Sequence, residues 1–186
     1  MAKIKIENIV ASTSVEAELD LEHIAKVLPG CQYNSAQFPG LVLRIPEPKT
    51  AALLFRSGRI VCTGAKSLED LKKAIATAVA KIASTGVKVT KNPQIDVQNI
   101  VASASLGAAL NLNAIVSSLG LENIEYEPEQ FPGLVYRLDS PKVVMLLFGS
   151  GKLVCTGARN PKDAEAAVDK VYAQLKEMGV MEEVKK

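Results

Sequence analysis

Apolar and polar residues alternate across residues 3–14. Ile4, Ile6, Asn8, Val10 and Ser12 fall on one face of a predicted strand, and Lys5, Glu7, Ile9 and Ala11 on the other. The period then changes. Residues 21–28 read as a short helix, capped by Asp20 and stopped at Pro29-Gly30. Four strands are predicted next, at 31–35, 41–45, 50–55 and 59–63, with a turn at 34–37 and a break at Pro46-Glu47-Pro48. Ser57-Gly58 makes a tight hairpin turn. Ser67, with Asp70 three residues on, starts a second helix that runs to about residue 85 and closes at Gly86. Its Leu68, Leu71, Ile75, Val79 and Ile82 recur at helical spacing.

Beyond a link at 88–93 the order returns. Strands are predicted at 95–103, 124–126, 134–138, 142–148 and 152–156, and helices at 112–119 and 161–178. Three blocks recur almost unchanged. Asn8-Ile9-Val10-Ala11-Ser12 returns as Asn99-Ile100-Val101-Ala102-Ser103. Gln37-Phe38-Pro39-Gly40-Leu41-Val42 returns as Gln130-Phe131-Pro132-Gly133-Leu134-Val135. Phe55-Arg56-Ser57-Gly58-Arg59-Ile60-Val61-Cys62-Thr63-Gly64-Ala65 returns as Phe148-Gly149-Ser150-Gly151-Lys152-Leu153-Val154-Cys155-Thr156-Gly157-Ala158. The copies are offset by 91 residues up to the short helix and by 93 afterwards, so two extra residues lie between Leu119 and Phe131.

The chain is therefore an α+β protein of two tandem repeats, 1–91 and 92–186. Each is strand–helix–four strands–helix, giving ten strands and four helices. Two helices per copy cannot cover both faces of so many strands, so they lie on one face. Yet Val10, Leu53, Phe55 and Val61, with Val101, Leu146, Phe148 and Val154, are apolar on the uncovered face. A wide apolar uncovered face marks a binding surface. Packing the two faces together as a sandwich would hide it equally well, and patterning alone leaves both arrangements open.

Composition sharpens this picture. Trp is absent and there are only four Phe, and all four lie in the repeated blocks, so they stand out. Phe38 and Phe131 each precede Pro-Gly. Proline holds the residue before it extended, and the glycine is expected to make a tight turn. Phe55 and Phe148 end strands beside Ser-Gly hairpins. Two matched pairs of stiff apolar tips have the form of wedges. Asn8 and Asn99 share the apolar face with Thr63 and Thr156. Asn is unfavourable inside a strand, so its matched placement needs a reason, either a bulge or a set of hydrogen-bonding groups amid an apolar surface.

Little points to catalysis. The single histidine, His23, has Ala114 at its place in the second copy. Cys31, Cys62 and Cys155 have no close metal or disulfide spacing, which suits a reducing compartment. Cys62 and Cys155 should face the helices as small core residues. No phosphate loop appears, no carboxylate pair recurs, and no signal-peptide layout or long apolar run points to a membrane. No cofactor or metal is expected, and the chain is read as soluble and intracellular.

Net charge is only +2, but its distribution is uneven. Residues 1–91 carry 13 Lys+Arg against 8 Asp+Glu, and residues 92–186 carry 9 against 12. Glu122, Glu125, Glu127 and Glu129 cluster where the two-residue insertion lies, whereas Gln32, Tyr33, Asn34 and Gln37 hold that region of the first copy. Lys66, Lys72, Lys73 and Lys81 form a basic helical face on the first copy.

The paired blocks resemble the TATA-box-binding protein family over essentially the whole chain, in both copies and in family order. The absence of a long N-terminal extension, the short tail 181–186 and the modest charge resemble the archaeal type. The resemblance implies a saddle, a curved ten-stranded antiparallel sheet with four helices on its convex face. It implies a general transcription factor rather than an enzyme, one that binds double-stranded TATA-box DNA in the minor groove and bends it; the family is itself a standing example of such binding. Phe38 with Phe55, and Phe131 with Phe148, would wedge into base steps. Asn8, Asn99, Thr63 and Thr156 would make the central polar contacts. Val10, Val61, Leu53, Val101, Val154 and Leu146 would form the apolar floor. Arg44, Lys49, Arg56, Ser57 and Arg59, with Arg137, Lys142, Ser150 and Lys152, are the phosphate-contact candidates. Glu127 and Glu129 would dock transcription factor B, and through it RNA polymerase. Off DNA, the apolar face makes a homodimer plausible. The implied location is the nucleoid of an archaeal cytoplasm, or the nucleus in a eukaryote.

Overall fold

The computed structural model describes residues 3–183, so the end of the expected tail, 184–186, lies outside the described residues. Contacts divide the chain into two compact units, Asn8–Gln98 and Met1–Glu7 with Asn99–Lys186. They are called the N-terminal and C-terminal units below.

In chain order the elements are β1 (Lys5–Ser14), α1 (Leu21–Val27), β2 (Cys31–Gln32), β3 (Leu41–Ile45), β4 (Thr50–Leu54), β5 (Arg59–Ala65) and α2 (Leu68–Ser84). The order then repeats with β6 (Asp96–Ser105), β7 (Ala109–Leu110), α3 (Leu112–Leu119), β8 (Ile124–Glu125), β9 (Leu134–Asp139), β10 (Lys142–Leu147), β11 (Lys152–Ala158), α4 (Pro161–Glu177) and β12 (Met181–Glu182). The N-terminal unit pairs its strands antiparallel in the order β2-β3-β4-β5-β1, and the C-terminal unit in the order β6-β11-β10-β9-β8. These are the ten sheet strands and four helices that the repeat implied. The two long strands straddle the division: residues 5–7 belong with the C-terminal unit and residues 96–98 with the N-terminal one.

Each helix starts where a side chain satisfies a backbone N–H at its N-terminus. Asp20 accepts from His23, Ser67 from Asp70, Asn111 from Ala114 and Asn160 from Asp163. β3, β4, β5, β10 and β11 alternate as expected, but in β1 Ser12 and Thr13 are both buried and Glu7, expected on the face of Ile9 and Ala11, bonds Ser103. In the N-terminal unit Leu41, Leu43, Ala52, Leu54, Ile60 and Cys62 are buried at 0–1% exposure. α2 packs on β3, β4 and β5 and buries Leu71, Ala74, Ile75, Ala78 and Ile82. In the C-terminal unit α4 packs on β11 in the same way. Ala164, Ala167, Val168, Val171 and Leu175 are buried on the helix, and Met145, Leu147, Leu153 and Cys155 on the strands. Burying each such large side chain is worth about 1.5–3 kcal/mol. The alternate positions of the strands in each unit stay half-exposed, so the helices do lie on one face.

Cys62 and Cys155 are core residues, and burial pushes both thiols up to about 11. Thiols held protonated in this way are poor nucleophiles. His23 is exposed on α1 and donates its backbone N–H to Asp20.

Two details differ from the sequence reading. The strand expected at 31–35 stops at Gln32, because Asn34 gathers the chain into a turn. Its carbonyl accepts from Gln37 and Phe38 at 3.0 Å and its side chain from Ala36 at 3.2 Å. An unforeseen pair, β7 with β12, joins Leu110 to Met181. Strands of two residues are too short to show a period.

Leu54→Ala is expected to cost about 2–5 kcal/mol by cavity formation, and Ser67→Ala about 1 kcal/mol by loss of the cap. Urea unfolding of the two variants checks the ranking; a larger loss at Ser67 would contradict this account of the core.

Candidate nucleic-acid interface

Each unit carries one phenylalanine pair. Phe38 and Phe55 meet edge to face at 6.0 Å between ring centroids and 69° between planes. Phe131 and Phe148 do so at 5.9 Å and 72°. Phe38 and Phe131 are each 41% exposed. The turn that presents Phe38 hangs from the Asn34 carbonyl, and that of Phe131 from the Glu127 carbonyl, which accepts from Gln130 at 3.0 Å and Phe131 at 2.9 Å. The glycine of each Phe-Pro-Gly block has a reason other than the tight turn expected. Neither Gly40 nor Gly133 has a positive φ. Instead, a Cβ at Gly40 would lie 2.8 Å from the Phe38 ring and 3.0 Å from the Phe55 ring, and one at Gly133 would lie 2.7 and 3.0 Å from Phe131 and Phe148. The glycine is the seat on which both rings rest.

Asn8 and Asn99 explain themselves through a bulge. Ile9 pairs with Ala65 but Ala11 with Cys62, so Thr63 and Gly64 together oppose Val10. Gly64, at φ +102°, has an N–H that the ladder leaves unpaired, and the Asn8 side-chain oxygen accepts it at 2.7 Å. Asn99 does the same for Gly157, also at φ +102°, at 2.6 Å. A backbone N–H only donates, so the atom facing it is the amide oxygen, and the amide nitrogen is turned the other way. Asn8 Nδ2 donates to Thr63 Oγ1 at 3.3 Å, and Asn99 Nδ2 to Thr156 Oγ1 at 3.2 Å. Each Nδ2 keeps a second hydrogen for an external acceptor. Of the two reasons the sequence offered for these asparagines, the bulge is the one the structure bears out.

Around each Asn–Thr pair runs an apolar row. Leu53 pairs with Val61, and Leu146 with Val154, all half-exposed. Val10 and Val101 lie on the same half-exposed set. The register adds residues that sequence reasoning missed. Val42 pairs with Leu53, Val135 with Leu146, Ala51 with Thr63 and Val144 with Thr156. β3 and β9 are apolar at most positions, so alternation could not separate Val42 from Leu41.

All the charged phosphate candidates are exposed, as are Ser57 and Ser150. Arg44, Arg137 and Lys142 stand on strands of the half-exposed face at positions that alternate with buried ones. Arg56, Ser57, Arg59, Ser150 and Lys152 surround the two hairpins, and Lys49 precedes β4. Arg137 Nη2 lies 3.7 Å from Glu125, whereas Arg44 Nη2 donates to Gln32 at 3.5 Å. Glu122, Glu125, Glu127 and Glu129 are exposed around β8, next to Leu121 at 75% exposure. Among the described residues no His, Cys, Asp and Glu cluster could hold a metal, and no helix is long and apolar enough to cross a membrane.

Two repeats of strands under one layer of helices, each with a phenylalanine pair that has one exposed ring and an asparagine-closed bulge, define a two-repeat protein with an apolar face left open for binding. The chain belongs to the family described as transcription factor TFIID, or TATA-binding protein, whose sequence model matches residues 3–85 and 94–178. It is 60% identical over 179 residues to TATA-box-binding protein E of Halobacterium salinarum, covering 96% of each chain. It is 57% identical to the TATA-box-binding protein of Archaeoglobus fulgidus, covering 96% of this chain and 98% of the relative. The solved structure of Methanococcus jannaschii TBP superposes with a TM-score of 0.86 at 50% identity, covering 94% of this chain and 99% of that one. The family consists of transcription factors, not enzymes.

Asn8→Ala is expected to leave the Gly64 N–H without a partner and to cost about 1–3 kcal/mol. Asn8→Asp keeps the acceptor and should fold at close to normal stability. Thermal unfolding of both variants decides: equal losses would show that the bond to Gly64 is not what Asn8 supplies.

Proposed function

We propose that the chain binds TATA-box duplex DNA through its uncovered face, in the minor groove, bends it, and starts assembly of a transcription preinitiation complex. The observation that carries this reading is the orientation of Asn8 and Asn99. With each amide oxygen consumed by a bulge glycine, what faces outward is a donor, set in an apolar surface. The minor groove of A·T and T·A pairs displays acceptors, adenine N3 and thymine O2, and either orientation of the pair presents them. Guanine adds an amino donor there. The Val and Leu rows around Asn8 and Asn99 have nothing to accept it, so a G·C pair leaves a buried donor unpaired.

The rings supply the deformation. Apolar wedges of minor-groove proteins, for which this family is itself a standing example, enter between base steps and unstack them. Phe38 and Phe131 are exposed, backed by proline, and braced edge to face by Phe55 and Phe148 over a glycine seat. One pair per unit gives two kinks. Steps of the TA type unstack at low cost, which adds readout by deformability to the donor pattern. Arg44, Lys49, Arg56, Ser57, Arg59, Arg137, Lys142, Ser150 and Lys152 then meet phosphates, and binding weakens as salt rises.

The acidic loop is where the copies differ. Glu127 and Glu129 are exposed, and the equivalent part of the first copy has no acid. Carboxylates on this loop repel a DNA backbone and suit a cationic protein surface. The reading assigns them to transcription factor B, which brings RNA polymerase.

The central test is gel-shift and bending measurement on a TATA duplex and on a G·C-substituted duplex. Each substituted pair should cost about 1–3 kcal/mol; equal binding to both duplexes would sink the reading. Phe148→Ala should reduce the bend while circular dichroism stays native, and an unfolded variant would show that ring to be a core residue only. Asn8→Asp, though folded, should bind the TATA duplex more weakly. Glu127→Lys with Glu129→Lys should spare DNA binding and abolish the slower ternary band with transcription factor B; loss of DNA binding instead would contradict the assignment.

A further inference from the structure

Two open troughs occupy equivalent places in the two units. In the C-terminal unit Lys3, Lys5, Glu7, Ser103 and Lys152 line a space of about 650 Å³ beside Phe148 and Val154. In the N-terminal unit Ser12, Ser57, Arg59, Gln94 and Asp96 line one of about 630 Å³. The repeat offsets equate Lys3 with Gln94, Lys5 with Asp96, Ser103 with Ser12 and Lys152 with Arg59. Size and hydroxyl groups are repeated, but charge is not.

Local bonding sharpens the difference. In the C-terminal unit the Ser103 hydroxyl donates to Glu7 Oε1 at 2.7 Å, and Lys5 Nζ lies 3.9 Å from the same oxygen. Lys3 and Lys152 have no ion-pair partner among the described residues. In the N-terminal unit Gln98 stands in the place of Glu7, and its Nε2 donates to Ser12 at 3.0 Å and to Asp96 at 2.8 Å. Three cations therefore face one carboxylate in one trough, and one cation faces one carboxylate in the other.

We propose that the trough of Lys3, Lys5 and Lys152 is a phosphodiester anchor that holds the backbone more strongly than its N-terminal counterpart, where Arg59 is the one lining cation. The inference rests on the DNA-binding reading above and deepens it. The trough touches a wedge ring and the apolar row, so a duplex seated on that face passes its backbone over the three ammonium groups. Lysine acts on phosphate as a mobile point charge and needs no fixed geometry. Asp96 repels phosphate at the matching place. The two units thus grip the backbone unequally although they present nearly the same donors and wedges to the groove.

The test measures affinity of the full chain for a fluorescent TATA duplex by anisotropy across a series of KCl concentrations. Each neutralised phosphate contributes about 0.9 to the slope of log K against log salt. Lys3→Gln with Lys5→Gln should therefore flatten the slope by about 2. The exchange Gln94→Lys with Asp96→Lys should steepen it by a similar amount. Lys72→Gln with Lys73→Gln, on α2, should leave it unchanged. If wild type fails to bind the TATA duplex, the DNA reading itself falls. If wild type binds but the Lys3/Lys5 variant keeps its slope, the anchor alone is overturned. An equal flattening by the α2 variant would also overturn it, since overall charge would then account for the effect. A Gln94/Asp96 exchange without effect would refute the equivalence of the two troughs.

Discussion

Two helices cannot cover both faces of five strands. That geometric limit governs the rest of each unit. One set of alternate side chains goes under α2 or α4 and forms the core, with Leu54, Ile60 and Cys62 in one unit and Leu147, Leu153 and Cys155 in the other. The opposite set must then meet something else. In most antiparallel sheets it is polar and meets water. Here it is Val10, Leu53 and Val61, with Val101, Leu146 and Val154, and it stays half-exposed.

Specificity on such a surface needs polar groups that do not spoil it. Asparagine solves this by dividing its amide. The oxygen closes a backbone bond that the bulge opened, and the nitrogen donates to Thr63 on the same face. A threonine in its place would offer a rotating hydroxyl with no fixed sense. Because the same glycine bulge recurs beside Asn99, the two donors are set by backbone geometry rather than by side-chain packing.

Much of this was readable in the chain. Alternation located the strands, the residues Asp20 and Ser67 located helix starts, and the repeat located the two phenylalanine pairs. The unread part came from contacts between residues far apart in sequence. Asn8 and Gly64 are separated by 56 positions, so no local pattern announces their bond. Gly40 looked like a turn residue because Pro-Gly usually marks a turn, and only the ring positions reveal it as a seat. Strict alternation set Glu7 apart from Ser12 and Asn8, and the contact with Ser103 emerges only across strands. Val42 and Val135 were missed because their strands are apolar on both faces.

The half-exposed apolar rows have a thermodynamic consequence. In the free protein they are in contact with water, and any partner that covers them removes apolar surface from it. Such association carries a large negative heat-capacity change, so its enthalpy becomes more favourable with temperature. Its apolar contribution also fades on cooling. Association through a surface of this kind is therefore stronger warm than cold.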